Sequence, residues 1–318
     1  MTAQVSDDRD GRVRLALTLP VGGQVFGDDV RQIVEAARRA EDAGVDTVVV
    51  VDHVVMGLRT DRYRWGTFRF PEGSPWPEPL TLLSAVAAVT GSVRLSTGIL
   101  IAGLRSAPLL AKTAATLDRI SAGRLELGVG TGWQREEYEA SGLDFERRAG
   151  ILDDTIGAAQ ALWRAERTDF DSPTVQLSEI RCDPAPVQEG GPAILFSGPL
   201  TPRNLRRIRT LGQGWIPIMR ESGDNVREGV ALLREEFRDA GRDPRELRVR
   251  TDLPFRTGPD GSPSLEATLA EAATLAAFGV TEVALHMGAF VGDPAGVDPF
   301  LARLAREWKA AAPSVALG

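Results

Sequence analysis

The chain has 318 residues, 43% of them hydrophobic, enough for one large domain with a substantial core. A formal net charge of -7 argues against a general affinity for nucleic acid or for an anionic membrane, since both are polyanions; any bound phosphate must be held locally. A single cysteine, Cys182, excludes an intramolecular disulfide, and no apolar run approaches the roughly 20 residues that span a bilayer.

Residues 1–11 are polar, without the charged start and apolar core of a secretory signal, and are expected to form a flexible tail of a cytoplasmic protein. Beyond them, apolar runs rich in β-branched residues alternate with helical periodicity. Residues 13–19 (VRLALTL) read as a buried strand, 28–44 as an amphipathic helix with Asp28 near its N-cap and Gly44 past its end, and 46–53 (DTVVVVDH) as the next strand. A helix near 79–90, a strand at 93–101, a helix near 108–120 and a strand at 124–130 follow. After a helix at about 147–164, the stretch 168–191 carries a Ser-Pro pair between short strand-like pieces, which predicts a hairpin insertion and not a domain boundary. Strands at 193–198, 214–218, 247–255 and 280–287 complete the pattern. Eight short strands, apolar on both faces and separated by helices, predict a closed (β/α)8 TIM barrel with insertion loops, a single domain over 12–318.

The fourth strand ends in Gly128-Val129-Gly130-Thr131-Gly132-Trp133. This is not the dinucleotide fingerprint, because Trp133 stands where the last glycine belongs, and no Gly-Lys-Ser or Gly-Lys-Thr exists for a phosphate-binding P-loop. Its place at the C-terminal end of a barrel strand leaves two readings: bare backbone that admits a flat ring or a phosphate, or a tight turn with no ligand.

Other residues fall on the same face. Asp52 and His53 end the second strand, Thr97 to Ile101 the third, Ser197 and Gly198 the fifth and His286 the eighth. Both histidines of the chain thus stand at strand C-termini, where imidazole either exchanges protons near neutral pH or only satisfies buried backbone groups. Asp52 either acts beside His53 or orients a loop. The connection 54–78 is too long for a simple strand-to-helix link and rich in aromatics and prolines. It predicts a lid in which Trp65, Phe68 and Trp76 line a substrate pocket or pack the loop down. Arg105 meets either an anionic group or a surface carboxylate, and no cluster has metal-ligand spacing.

The stretch 108–142 (PLLAKTAATLDRISAGRLELGVGTGWQREEYEASG), with supporting pieces at 38–55, 79–100, 182–198 and 211–217, resembles the bacterial luciferase-like superfamily of flavin and deazaflavin oxidoreductases over nearly the whole chain. Overall likeness is to the branch that uses coenzyme F420. The resemblance implies a (β/α)8 barrel with an insertion after strand four and a cofactor ring at the C-terminal mouth. It also implies a non-proline cis peptide bulge within 100–103 supporting that ring. Asp52 and His53 match the family's strand-two pair, with His53 expected near ring and substrate. Thr97, Leu100, Ile101, Ala102, Gly130, Thr131, Gly132 and Trp133 are implied around the cofactor. Ser197 and Gly198 correspond to the loop whose amides hold the phosphate, although Pro199 removes one donor and leaves more to the helix beginning near Thr201, with Arg203 in its first turn. Trp65, Phe68, Arg105 and His286 are, from their positions, the candidate substrate contacts.

The activity implied is hydride transfer between F420 and a small organic substrate, with His53 exchanging the accompanying proton. The alternatives are an FMN-dependent monooxygenase supplied by a separate flavin reductase, and a non-catalytic cofactor-binding barrel. A homodimer served by an F420 or flavin reductase is the implied assembly.

Overall fold

The structure is a computed structural model that describes residues 11–64, 67–68, 70–219, 221–311 and 313. Strand β1 (Arg14–Thr18) is fully buried and leads to α1 (Val30–Asp42), whose apolar stripe Ile33, Ala36, Ala37 and Ala40 has helical spacing. The cap is Asp29, one residue later than expected: its side chain accepts from the amide of Arg31. Next come β2 (Thr47–Val50), α2 (Pro79–Val89), β3 (Arg94–Thr97), α3 (Ala107–Ile120) and β4 (Leu125–Val129). The short α4 (Arg135–Ala140), absent from the sequence reading, precedes α5 (Arg148–Arg164).

The predicted insertion is a two-stranded antiparallel hairpin, β5 (Thr168–Asp171) with β6 (Gln176–Ile180). The alternation then resumes with β7 (Ala193–Ser197), α6 (Pro202–Thr210), β8 (Gly214–Ile216), α7 (Gly223–Asp239), β9 (Arg248–Asp252), α8 (Leu265–Ala277), β10 (Glu282–His286) and α9 (Val297–Ala311). Eight parallel strands close in the order β1-β2-β3-β4-β7-β8-β9-β10, and β10 meets β1 with Arg14 beside Glu282. The expected (β/α)8 barrel is therefore the observed fold. Among the described residues no helix is long and apolar enough to cross a membrane.

Two features set the floor of the mouth. The first is the end of β3, which stops at Thr97, four residues before the sequence reading ended it. The cis peptide joins Gly98 and Ile99, so the bulge expected within 100–103 lies earlier. A β-carbon on Gly98 would stand 2.5 Å from Val49 Cγ1, so the neighbouring strand leaves room only for glycine. The chain pairs again beyond the corner, where Leu100 bridges Val129.

The second feature is a charged layer in the barrel interior. Glu126 from β4, Glu282 from β10, Arg14 from β1 and Arg250 from β9 are all buried there, with Arg14 Nε 3.3 Å from Glu282 and Arg248 Nη1 3.3 Å from Glu126. Burial alone would raise Glu126, but Arg14, Arg248, Arg250 and Arg94 hold its carboxyl well below the usual range. Burial, together with the charge of Glu126, keeps Glu282 above it, although Thr47 Oγ1 donates to Glu282 Oε1 at 2.6 Å.

Candidate active site

β2 runs out at the C-terminal end into Asp52 and His53, which part company. Asp52 is buried: Oδ2 accepts from the Ile101 amide and from Arg105 Nη1, both at 2.8 Å, and Oδ1 accepts from Arg105 Nη2 at 3.1 Å. Arg105 also reaches Glu78 at 2.7 Å. Burial would lower the Arg105 pKa, but the two carboxylates hold it above the ordinary value. Of the two readings each residue carried, the structure shows the loop-orienting one for Asp52 and the carboxylate partner for Arg105: the two neutralise each other and clamp the loops after β2 and β3 together.

His53 faces a partner that the sequence reading missed. Its Nδ1 lies 3.2 Å from Glu137 Oε2 on α4, while Glu137 Oε1 accepts from the Val54 amide at 3.0 Å. With Glu137 a carboxylate, Nδ1 carries the hydrogen, and Nε2 is the nitrogen left for proton exchange. The His53 side chain is 10% exposed and that of Glu137 1%. Rings enclose the imidazole: Trp76 lies 4.7 Å from it centroid to centroid, Trp133 6.2 Å and Phe68 6.3 Å, all nearly perpendicular. Phe68 packs on Trp133 at 5.5 Å and Phe70 on Trp76 at 4.7 Å. Phe68 and Trp133 are thus brought together over His53; Trp65 lies outside the described residues.

The connection from β2 is held differently along its two halves. Gln134 donates to and accepts from the backbone of Gly57, at 3.2 and 2.9 Å, and Arg62 pairs with Glu136 at 3.1 Å. The later half packs its apolar groups against the loop after β1, with Phe70 over Gly22 and Pro75 over Gly23.

The glycine corner is filled by the protein itself. A β-carbon on Gly128 would collide with the Thr97 carbonyl, one on Gly130 would stand 3.0 Å from Ile99 Cδ1, and one on Gly132 3.0 Å from Ile101 Cδ1. The glycines let the end of β3 lie flat on β4, and no phosphate is needed to explain them. Thr97 is buried with its hydroxyl donating to the Gly128 carbonyl at 2.8 Å; Leu100 and Ala102 lie in the main core, and Ile101 packs with Tyr138 and Ile151. Gly98 and Ile99 at the end of β3 and Thr131, Gly132 and Trp133 after β4 are half-open. Burial raises the Tyr138 phenol, which donates to the Thr131 carbonyl at 2.7 Å and ties α4 to this corner.

At β7, Ser197 and Gly198 stand half-exposed, Gly198 with φ +116, a conformation that suits glycine. The expected Gly198 amide donor is already used, for it donates to the Ile216 carbonyl at 3.1 Å. The Ser197 hydroxyl and the Arg203 amide remain as donors there, since Pro202 has no N–H and the Asn204 amide donates to Thr201 Oγ1 at 3.3 Å, whereas the Arg203 side chain turns to Asp153 at 2.9 Å. His286 lies at the rim, with Nε2 3.1 Å from Asp252 Oδ1 and its side chain 46% exposed. Burial would lower its pKa, but the charge and hydrogen bond of Asp252 raise it above the ordinary histidine value.

A tricyclic aromatic ring fits this chemistry: half-open Gly98, Ile99, Gly132 and Trp133 offer bare backbone and apolar side chains, and the Ser197 hydroxyl with the Arg203 amide offers donors for a phosphate. The luciferase-like monooxygenase family model matches residues 12–312. An uncharacterized protein of Mycobacterium tuberculosis is 31% identical over 256 residues, covering 79% of this chain and 86% of its own. The crystal structure of monooxygenase RslO1 from Streptomyces bottropensis aligns with TM-score 0.74 at 20% identity, covering 94% of this chain and 98% of its own. An F420-dependent secondary alcohol dehydrogenase, in complex with an F420-acetone adduct, aligns with TM-score 0.65 at 20% identity, covering 96% and 86%. At such identities the two structures show the shared fold. The family match over almost the whole described barrel, and the relative that follows the chain for most of its length, make this protein a member of the luciferase-like monooxygenase family.

Proposed function

We propose that the protein is an oxidoreductase that uses coenzyme F420 for hydride transfer to or from a small organic substrate held under the loop at 54–78. The observation that carries this reading is the His53–Glu137 pair, buried beneath Phe68, Trp76 and Trp133 at the mouth of the barrel. Hydride transfer to a neutral carbon centre such as a carbonyl requires one proton, delivered in a place from which water is excluded. When bound, the deazaflavin supplies the hydride donor or acceptor. The protein supplies the rest. Glu137 fixes the imidazole through Nδ1, so that Nε2 gives or takes the proton. Gly98 and Ile99 would support the ring, Ser197 and the Arg203 amide would bind the phosphate, and the Asp52–Arg105 clamp holds the loop that bears His53 in register with the one that bears Gly98 and Ile99. The fold shared with a secondary alcohol dehydrogenase that holds an F420-acetone adduct supports the same reading.

A second reading, FMN-dependent monooxygenation served by a separate reductase, is favoured by the TM-score of 0.74 to a monooxygenase. Titration of the purified protein with F420 and with FMN, followed by ring fluorescence, separates the two. Binding of F420 at least tenfold tighter than FMN is expected. The opposite order supports the monooxygenase, and binding of neither overturns both.

A further inference from the structure

Arg250, a member of the charged layer, touches the floor of the mouth. It is 3% exposed, and its guanidinium donates two ways: Nη1 to Ser96 Oγ at 2.6 Å and Nη2 to the Thr97 carbonyl at 2.7 Å. Nη1 also lies 3.5 Å from Glu126 and 3.6 Å from Glu282. Thr97 is the last residue of β3, and its carbonyl immediately precedes Gly98 and Ile99. Ladder pairing between β3 and β4 covers Leu95 and Ser96 and returns only at Leu100. Between those points the strand end is held by its neighbours, with the Thr97 hydroxyl on the Gly128 carbonyl and the Gly98 amide on the Val50 carbonyl, each at 2.8 Å. It is also held by the Arg250 side chain from across the barrel, the only one of these three to reach the Thr97 carbonyl. Gly128 makes this possible, because a β-carbon there would stand 2.7 Å from Arg250 Nη2 as well as colliding with the Thr97 carbonyl. A rigid, always-charged fork suits this geometry, since one donor reaches the hydroxyl of β3 and another its carbonyl, while two carboxylates fix the guanidinium.

We infer that Arg250 is a positioning residue: by holding the Thr97 carbonyl it sets where Gly98 and Ile99 lie, and so how the cofactor ring is seated. This rests on the reading of the mouth as a deazaflavin or flavin site. The rival account is that the charged layer only fills the barrel, in which case Arg248, which also meets Glu126, should matter as much.

The test uses Arg250→Lys, Arg248→Gln and Ser96→Ala in the full chain, with F420 and FMN as probes. Affinity, the absorption band of the bound ring and the melting temperature are recorded for each. Arg250→Lys should weaken binding of whichever cofactor the wild type takes by at least tenfold and shift the bound band, whereas Arg248→Gln should leave affinity within twofold. Ser96→Ala, the milder change and the deciding one if Arg250→Lys does not fold, should weaken binding two- to fivefold at an unchanged melting temperature. Unaltered affinity and band in Arg250→Lys or Ser96→Ala, or an equal loss in Arg248→Gln, overturns the inference alone. A wild type that binds neither probe overturns the functional reading and the inference with it.

Discussion

Two histidine–carboxylate pairs stand at the same end of the barrel, two strands apart, and differ in what surrounds them. His53 and Glu137 have side chains 10% and 1% exposed and three aromatic rings over the imidazole. His286 and Asp252 are 46% and 32% exposed, at a rim where water and salt screen them. Their hydrogen bonds are of nearly equal length, 3.2 and 3.1 Å. The contrast teaches that neither the pairing nor the strand-end position distinguishes the two histidines; exclusion of water does, since it makes a fixed tautomer count.

The largest test of that contrast is kinetic. His53→Ala should reduce kcat by about 10²- to 10⁴-fold, the usual range for a lost general acid–base group, with cofactor affinity nearly unchanged. His286→Ala should change kcat less than about threefold, since an exposed group contributes little to proton transfer at a covered site. Steady-state kinetics and cofactor titration check both, and an equal loss in the two variants would erase the distinction.

A smaller loss, about 10- to 10²-fold in kcat, is expected for Glu137→Gln, where an amide no longer imposes the Nδ1–H tautomer. The pH–rate profile should shift while the melting temperature stays close to wild type. A profile identical to wild type would make Glu137 a purely structural residue.

The smallest effect concerns the rim pair and is read in stability. His286 is raised above its unfolded value of about 6.5, so its contribution is complete below that pH and is lost as pH climbs through the folded pKa. Asp252 is depressed, burial being outweighed by His286, so its contribution is present above about pH 4 and is lost as pH falls through its folded value. Asp252→Asn should therefore lower the melting temperature most between about pH 4.5 and 6 and progressively less towards pH 9. The whole effect should be about 1 kcal/mol or less, as for screened pairs. A difference that grows with pH would contradict the assignment.

The fold was legible because short, largely apolar strands alternate with striped helices, even though some carry inward charges that the reading of them as apolar on both faces passed over, and Ser172-Pro173 marked the hairpin turn. Boundaries failed where one composition serves two purposes. Ile99, Leu100 and Ile101 prolong the apolar run of β3, yet the chain has already turned, and that overrun placed the bulge two residues too late. At the site, His53 could be named from its place at a strand end. Glu137 could not: it stands in the acidic run REEYEA, which looks like a solvated helix face, and its partner lies 84 residues earlier. Asp52 and Arg105 each looked available to a ligand because sequence does not reveal that they meet each other across 53 residues. Arg250 had the same disguise, an alternating charge in a strand whose polar face turns inward.

The uneven fastening of the connection after β2 has a consequence for how a molecule arrives. Its first half is stitched by hydrogen bonds to α4, the helix that carries Glu137, so a guest entering on that side would unpick the acid–base pair it needs. Ahead of Glu78, which stays paired with Arg105, the second half rests on Gly22 and Gly23 through the Phe70 ring and Pro75, contacts whose loss strands no donor or acceptor. Displacing that stretch would leave the His53–Glu137 pair assembled, whereas displacing the first half would break it.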